Sequence, residues 1–213
     1  MSGRADTWNT RGIVLQYRPW REYDRLYTVY TEAFGKQTLR VHGIRRPKAK
    51  LAGALEPFAE IELYGIPAKH YPKIGGAMVV QRFGQLKNTL ERFNSAVYCC
   101  ELLARLTKDN VPDQAIYQLL YSTLVWLDQQ PPSRLITAGY SVKLIHDLGF
   151  AGVTPSLDES TTKLIRWMTA QPYSAIQKLR LTDAAWQNLQ TTIHTWLYEY
   201  LGDDVQSERF LVY

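Results

Sequence analysis

The residues best suited to chemistry in this sequence are cations set among aromatic rings. Between Ala33 and Leu55 the chain carries Lys36, Arg40, Arg45, Arg46, Lys48 and Lys50 and no acidic residue. The run Arg45 to Lys50 (RRPKAK) follows Gly43 and contains Pro47, which predicts an extended connector with outward side chains. Such a row suits a phosphate backbone, because each ion contact releases counterions and makes affinity fall as salt rises. The bland alternative is a solvated loop that only aids solubility. A second group, Arg18, Arg21 and Arg25, interleaves with Trp20 and Tyr23. Rings in that setting stack on unpaired bases while cations follow the phosphates. Glu22 and Asp24 dilute this group and offer a purely structural ion-pair network instead. The two rings would equally serve as a lid on a barrel mouth or as a contact with the helical part.

Catalytic patterns are missing from the sequence. It has no GxxxxGK[ST] loop, no GxGxxG after a strand and no GxSxG elbow. His42, His70, His146 and His194 show no metal-ligand spacing, and Cys99 and Cys100 are adjacent, which suits neither a disulfide framework nor a four-thiolate zinc site. The cysteines read as small buried hydrophobes on a helix. Glu60 and Glu62 alternate on one strand and read as exterior charges rather than a catalytic pair. A binder is expected, not an enzyme, with no cofactor and no metal.

The elements that must position these residues divide the chain in two. Gly12 to Tyr17, Leu26 to Thr31, Gln37 to His42, Ala59 to Tyr64 and Ala77 to Phe83 are rich in β-branched and aromatic residues and separated by turn chemistry, which predicts five strands. Five short strands close most economically as an OB-fold barrel, whose first inter-strand loop would carry Trp20 and Tyr23. After Gly84 the period changes. Leu86, Leu90, Phe93, Val97, Cys100 and Ala104 predict one apolar stripe on a helix over 85–107. Further helices are predicted over 113–128, 133–148, 158–169, 173–179 and 182–201, the last ending at Gly202. The fold class is therefore α+β with two domains, an OB-fold nucleic-acid-binding domain over 1–80 and an all-α helical domain over 81–213. Trp126, Trp167, Trp186 and Trp196 read as packing residues of the helical part.

Charge follows the same division. Residues 1–73 hold 13 Lys and Arg against 7 Asp and Glu, while residues 74–213 hold 12 against 13. A basic surplus confined to one part points to a nucleic acid or another anionic partner. No apolar run approaches membrane-spanning length, and Met1 to Thr10 has no apolar signal core, so a cytoplasmic protein without a membrane partner is expected.

The order GIVLQYRPW, YDRLYTVYTEAFGK and VHGIRRPKAKLAGALEPF between Arg11 and Phe58 resembles the N-terminal domain of the RecO recombination mediators. LGF at Leu148 to Phe150 and YLGDDVQSERFL from Tyr200 to Leu211 resemble the helical domain of that family. The resemblance implies an OB-fold followed by helices, binding of single- and double-stranded DNA, strand annealing, and help in loading the RecA recombinase during repair in the bacterial cytoplasm, at the nucleoid. It implies RecR as a partner, together with the acidic C-terminal tail of the single-stranded DNA-binding protein, for which Arg134, Tyr140 and Lys143 around the helix leading to LGF form the expected dock. Many members of the family carry a cysteine-rich zinc insertion after LGF. Here Ala151 to Thr162 reads AGVTPSLDESTT, without cysteine, so a compact member lacking zinc is expected. Two other readings are a helical adaptor whose basic loop holds an acidic protein partner, and an RNA-binding OB protein.

Overall fold

The computed structural model describes residues 7–150 and 158–211. The chain forms two compact units. One takes the chain up to Phe83 together with Thr107–Tyr117, and the other takes Gly84–Leu106 and the chain from Gln118 onward.

The first unit is a closed five-stranded barrel in the order β1-β2-β3-β5-β4, as the strand pattern predicts. Its strands are β1 (Trp8–Trp20), β2 (Asp24–Thr31), β3 (Gly35–Val41), β4 (Glu60–Ile66) and β5 (Lys73–Gln81). β1 is long enough to pair with β2 along its second half and β4 along its first, and a register shift between Val14 and Gln16 bends it around the corner. Closure comes from the single parallel pairing of Arg40 with Lys73, between β3 and β5. All other pairings between these five strands are antiparallel. The core is filled by Val14, Tyr27, Val29, Leu39, Val41, Ile61, Leu63 and Ile74. These residues alternate with outward positions along their strands, which is the period-two pattern that a barrel requires.

Two segments without sequence periodicity complete this unit. Between β3 and β4 the chain runs through successive turns, with Arg46 N–H donating to the Gly43 carbonyl, Ala49 to Arg46, Ala52 to Ala49, and Leu55 to Leu51. RRPKAK is therefore a chain of turns, not an extended connector. Its cause is hydrophobic: Ile44 and Leu55, 4% and 1% exposed, are both buried in the barrel core, and Ala49 and Leu51 pack against it. The span between such anchors has to fold back. The other segment, Thr107–Tyr117, bridges to β3 at Lys36 and Asp109. It crosses over Gly35, which adopts φ 64° and where a Cβ would lie 2.1 Å from the Val111 carbonyl oxygen, so only glycine fits. Glu60 is 5% exposed and accepts a 2.8 Å hydrogen bond from the Tyr117 hydroxyl, which corrects its reading as an exterior charge. The returning segment covers it.

The second unit is helical: α1 (Leu90–Leu106), α2 (Gln114–Gln129, its first turn within the barrel unit), α3 (Arg134–Asp147), α4 (Glu159–Ala170), α5 (Tyr173–Ile176) and α6 (Asp183–Leu201). Boundaries follow cap chemistry. Ser133, Asp158 and Thr182 accept hydrogen bonds from first-turn N–H groups, and Gly202 closes α6 at φ 74°. α3 is buried nearly all round and packs against α1, α4, α5 and α6. Of the predicted apolar stripe, Leu86, Cys100 and Ala104 are buried while Leu90 and Phe93, in the first turn of α1, are exposed; Ala96, Cys99, Leu102, Leu103 and Leu106 complete the buried face. Contact with α3 makes this face broader than the predicted stripe. Cys99 and Cys100 lie in this core, where burial pushes both thiols well up. They are the inert hydrophobes their setting suggests.

Candidate nucleic-acid interface

The β1–β2 turn and the chain after β3 meet around one buried carboxylate. Asp24, 3% exposed, accepts from Arg40 through Nε at 2.8 Å and Nη2 at 2.6 Å, from the Gly43 N–H at 2.8 Å, and contacts His42 Nδ1 at 2.9 Å. Burial by itself raises the acid's pKa, but the Gly43 N–H and the Arg40 guanidinium outweigh it and hold Asp24 below its ordinary value. Gly43 adopts φ 65°, the left-handed turn that aims its N–H at this carboxylate. The two basic groups that look separate in the sequence are joined here. Arg45 N–H donates to the Tyr23 carbonyl and its guanidinium to the Glu22 carbonyl, both at 3.0 Å, while the Arg46 guanidinium lies 5.1 Å from the centre of the Tyr23 ring.

Around this junction the predicted cations have different settings. Arg45, Arg46, Lys48 and Lys50 are exposed, as are Arg18 and Arg21. Arg18 lies over Trp20 and Arg25 over Tyr17, at 5.7 and 4.1 Å from the ring centres. Lys36 and Arg40 differ from expectation. The Lys36 side chain is 14% exposed, pairs with Asp109 at 3.2 Å and donates to the Thr107 carbonyl, tying down the returning segment. Arg40 is neutralised by Asp24. Both are structural cations, because each has a carboxylate within ion-pair distance and little solvent access.

Beside the junction, a groove of about 750 Å³ is lined by Trp20, Arg21, Arg40, Ala68, Lys69, His70, Tyr71 and Lys73. Trp20 meets Tyr71 edge to face at 5.6 Å. Lys69, His70 and Tyr71 of the β4–β5 loop and Lys73 at the start of β5 escape a sequence reading, because neither their spacing nor their composition stands out. Only closure of the barrel places the loop between β4 and β5 beside the turn between β1 and β2. That arrangement puts rings and cations in the position where OB-folds bind oligonucleotides.

In the helical unit, the three residues expected to form a peptide dock do not share a surface. Tyr140 is fully buried and donates to the Cys99 carbonyl at 3.1 Å, so it belongs to the core. Lys143 donates to the Thr169 carbonyl at 2.7 Å, and its partial burial lowers its pKa. Arg134 stacks 4.4 Å from the centre of the Trp186 ring in a cleft of about 230 Å³ shared with Ser133, Leu135, Leu179, Arg180 and Leu181. Arg134 thus lines a cleft, whereas Tyr140 belongs to the core and Lys143 is tied to the Thr169 carbonyl. Residues 151–157, which include most of the stretch where the zinc insertion would lie, are outside the described residues.

Residues 1–83 match the family model described as Recombination protein O N terminal, and residues 87–154 match the one described as Recombination protein O C terminal. The chain belongs to the RecO family. It is 34% identical over 145 residues to the DNA repair protein RecO of Desulforamulus reducens, covering 68% of this chain and 55% of that one. It is 31% identical over 150 residues to its counterpart in Dehalococcoides mccartyi, covering 70% and 58%. With these two, the alignment spans little more than half of the relative's length. Against the RecO of Halalkalibacterium halodurans the identity is 24%, over 94% of this chain and 92% of that one. The first RecO match ends at Phe83, which is also where the first stretch of the barrel unit ends.

Proposed function

We propose that this RecO-family chain is a DNA-binding mediator of recombination in DNA repair, which anneals complementary strands and helps load RecA onto single-stranded DNA. One observation carries the reading: Arg45, Arg46, Lys48 and Lys50 stand exposed on a loop stitched to the β1–β2 turn, next to a groove with aromatic and cationic lining. A phosphate backbone running over that loop gains ion contacts, and no carboxylate among the described residues has to be displaced from the loop first. The chain acts by binding and has no catalytic residue in this mechanism. Neutralised phosphates let two strands approach, while rings beside them hold bases apart from their stacks.

RecR and the acidic tail of the single-stranded DNA-binding protein are the partners of this reading. The cleft around Arg134, with Arg180 and Trp186 beside it, supplies the cation and apolar rim that an acidic peptide end requires. It takes the role first assigned to Tyr140 and Lys143 as well. Strand annealing tests the proposal, run on complementary strands coated with the cognate single-stranded DNA-binding protein. The wild-type chain accelerates annealing, and reversing Arg45, Arg46, Lys48 and Lys50 to glutamate abolishes the acceleration. Equal annealing by the reversed and wild-type chains contradicts the proposal.

A further inference from the structure

Among the described residues that line the groove beside the basic loop, His70 is the one of a type whose charge changes near neutral pH. Arg21, Lys69 and Lys73 are exposed and carry fixed positive charges, and the charge of Arg40 is balanced by Asp24. His70 is exposed on the loop between β4 and β5, and no carboxylate among the described residues pairs with its ring. His42, at the junction, is placed differently. Its Nδ1 lies 2.9 Å from Asp24, so a counter-charge is already supplied from within the protein.

An imidazole without an internal counter-charge gains one only from a ligand. The surroundings of His70 favour an anion: Arg21 comes from the β1–β2 turn, Lys69 from its own loop and Lys73 from the start of β5, and no acidic side chain lines the groove. A phosphate drawn in by these fixed cations favours the charged ring, and by linkage the charged ring favours the phosphate to the same degree. Resting on the DNA-binding reading above, we propose that His70 is a proton-dependent phosphate ligand, which takes up a proton as a DNA phosphate enters the groove and gives it back when the phosphate leaves. Protonation creates the contact, so it is present at lower pH and lost as pH rises. The RRPKAK loop carries only Arg and Lys and keeps its charge across the same range. The fixed cations therefore set the base level of affinity, and His70 makes the grip of the groove respond to pH.

The test measures binding of the full chain to an oligothymidylate, whose own charge does not change over this range, by fluorescence anisotropy at about pH 6 and about pH 8 across a salt series. Wild type, His70→Gln and His70→Lys are compared, each checked for folding by circular dichroism. The wild type binds about threefold to tenfold more tightly at the lower pH. Its slope of log affinity against log salt is also steeper there by about 0.7, the share of one phosphate contact on a single strand. His70→Gln matches the wild type at the higher pH and gains nothing at the lower. His70→Lys, with a fixed charge, binds at both pH values as the wild type does at the lower one. A wild-type affinity that is the same at both pH values overturns the proposal. So does a pH response that persists undiminished in a folded His70→Gln chain, or a His70→Lys chain with no gain at the higher pH. Failure of the DNA-binding reading itself has a different signature, since none of the three chains then binds the oligothymidylate at either pH.

Discussion

A carboxylate as deeply buried as Asp24 has to be matched by donors, and here the donors are the groups that set the course of the basic loop. In sequence, Asp24 looks like a charge that dilutes its arginine neighbours. Folded, it holds Arg40 and Gly43 at the start of the loop that carries Arg45 to Lys50. No local pattern distinguishes these roles, because Gly43 lies nineteen residues away and reaches Asp24 only through β2–β3 pairing. Replacing Asp24 by Asn keeps the shape but leaves the Arg40 guanidinium, whose side chain is 23% exposed, without its counter-charge. The expected cost is about 3 kcal/mol of stability in urea unfolding at neutral pH. Because the folded pKa is depressed, this contribution is complete above the unfolded value of about 3.9 and disappears as pH falls through the lower folded value. The gap between the wild type and Asp24→Asn should therefore close below about pH 4 in the same experiment. A gap that stays constant down to pH 2.5 would remove the carboxylate's charge from the account.

At the scale of elements, the strands and the principal helices were legible because their apolar residues repeat with periods that the structure uses. β1 and β5 extend beyond their predicted limits. β1 continues through Pro19 to Trp20, and β5 begins at Lys73 and passes through Gly75 and Gly76, residues that locally signal a turn. Thr107–Tyr117 was not legible as part of the barrel, since a connector rich in Asp, Asn and Pro gives no sign of what it covers. Its attachment is testable. Tyr117→Phe keeps the ring and removes the donor from buried Glu60, which should cost about 1.5–3 kcal/mol, measured as a drop in the denaturation midpoint. Leu55→Ala tests the other irregular segment. A fully buried leucine that anchors the turn chain should cost about 2–5 kcal/mol, and the loss of its anchor should also lower DNA affinity, because the cations ahead of it lose their fixed placement. A destabilised variant with unchanged affinity would show that the loop does not depend on this anchor.

For the whole molecule, the distribution of charge is the feature that sequence and structure describe in the same terms. The basic surplus belongs to residues 1–73, and Arg21, Arg45, Arg46, Lys69 and Lys73 stand among the described residues at one junction and its neighbouring groove, while the remainder of the chain is close to neutral. The family was also legible, in the ordered run from Arg11 to Phe58, and both family matches agree with it. Less was legible in the site. Lys36 and Arg40 belong to the strongest basic run in the sequence and yet are spent on internal pairing, whereas Lys69, Tyr71 and Lys73 gain their place only from barrel closure. The central claim is that exposed cations of the RRPKAK loop bind a phosphate backbone, and salt dependence measures it most directly. Affinity for a single-stranded homopolymer should be determined across a salt series for the wild type and for the chain with Arg45, Arg46, Lys48 and Lys50 reversed. With about 0.7 of slope for each phosphate contact on a single strand, the reversed chain should lose roughly 2–3 units from the slope of log affinity against log salt. An unchanged slope, with affinity within twofold of the wild type, would contradict the account.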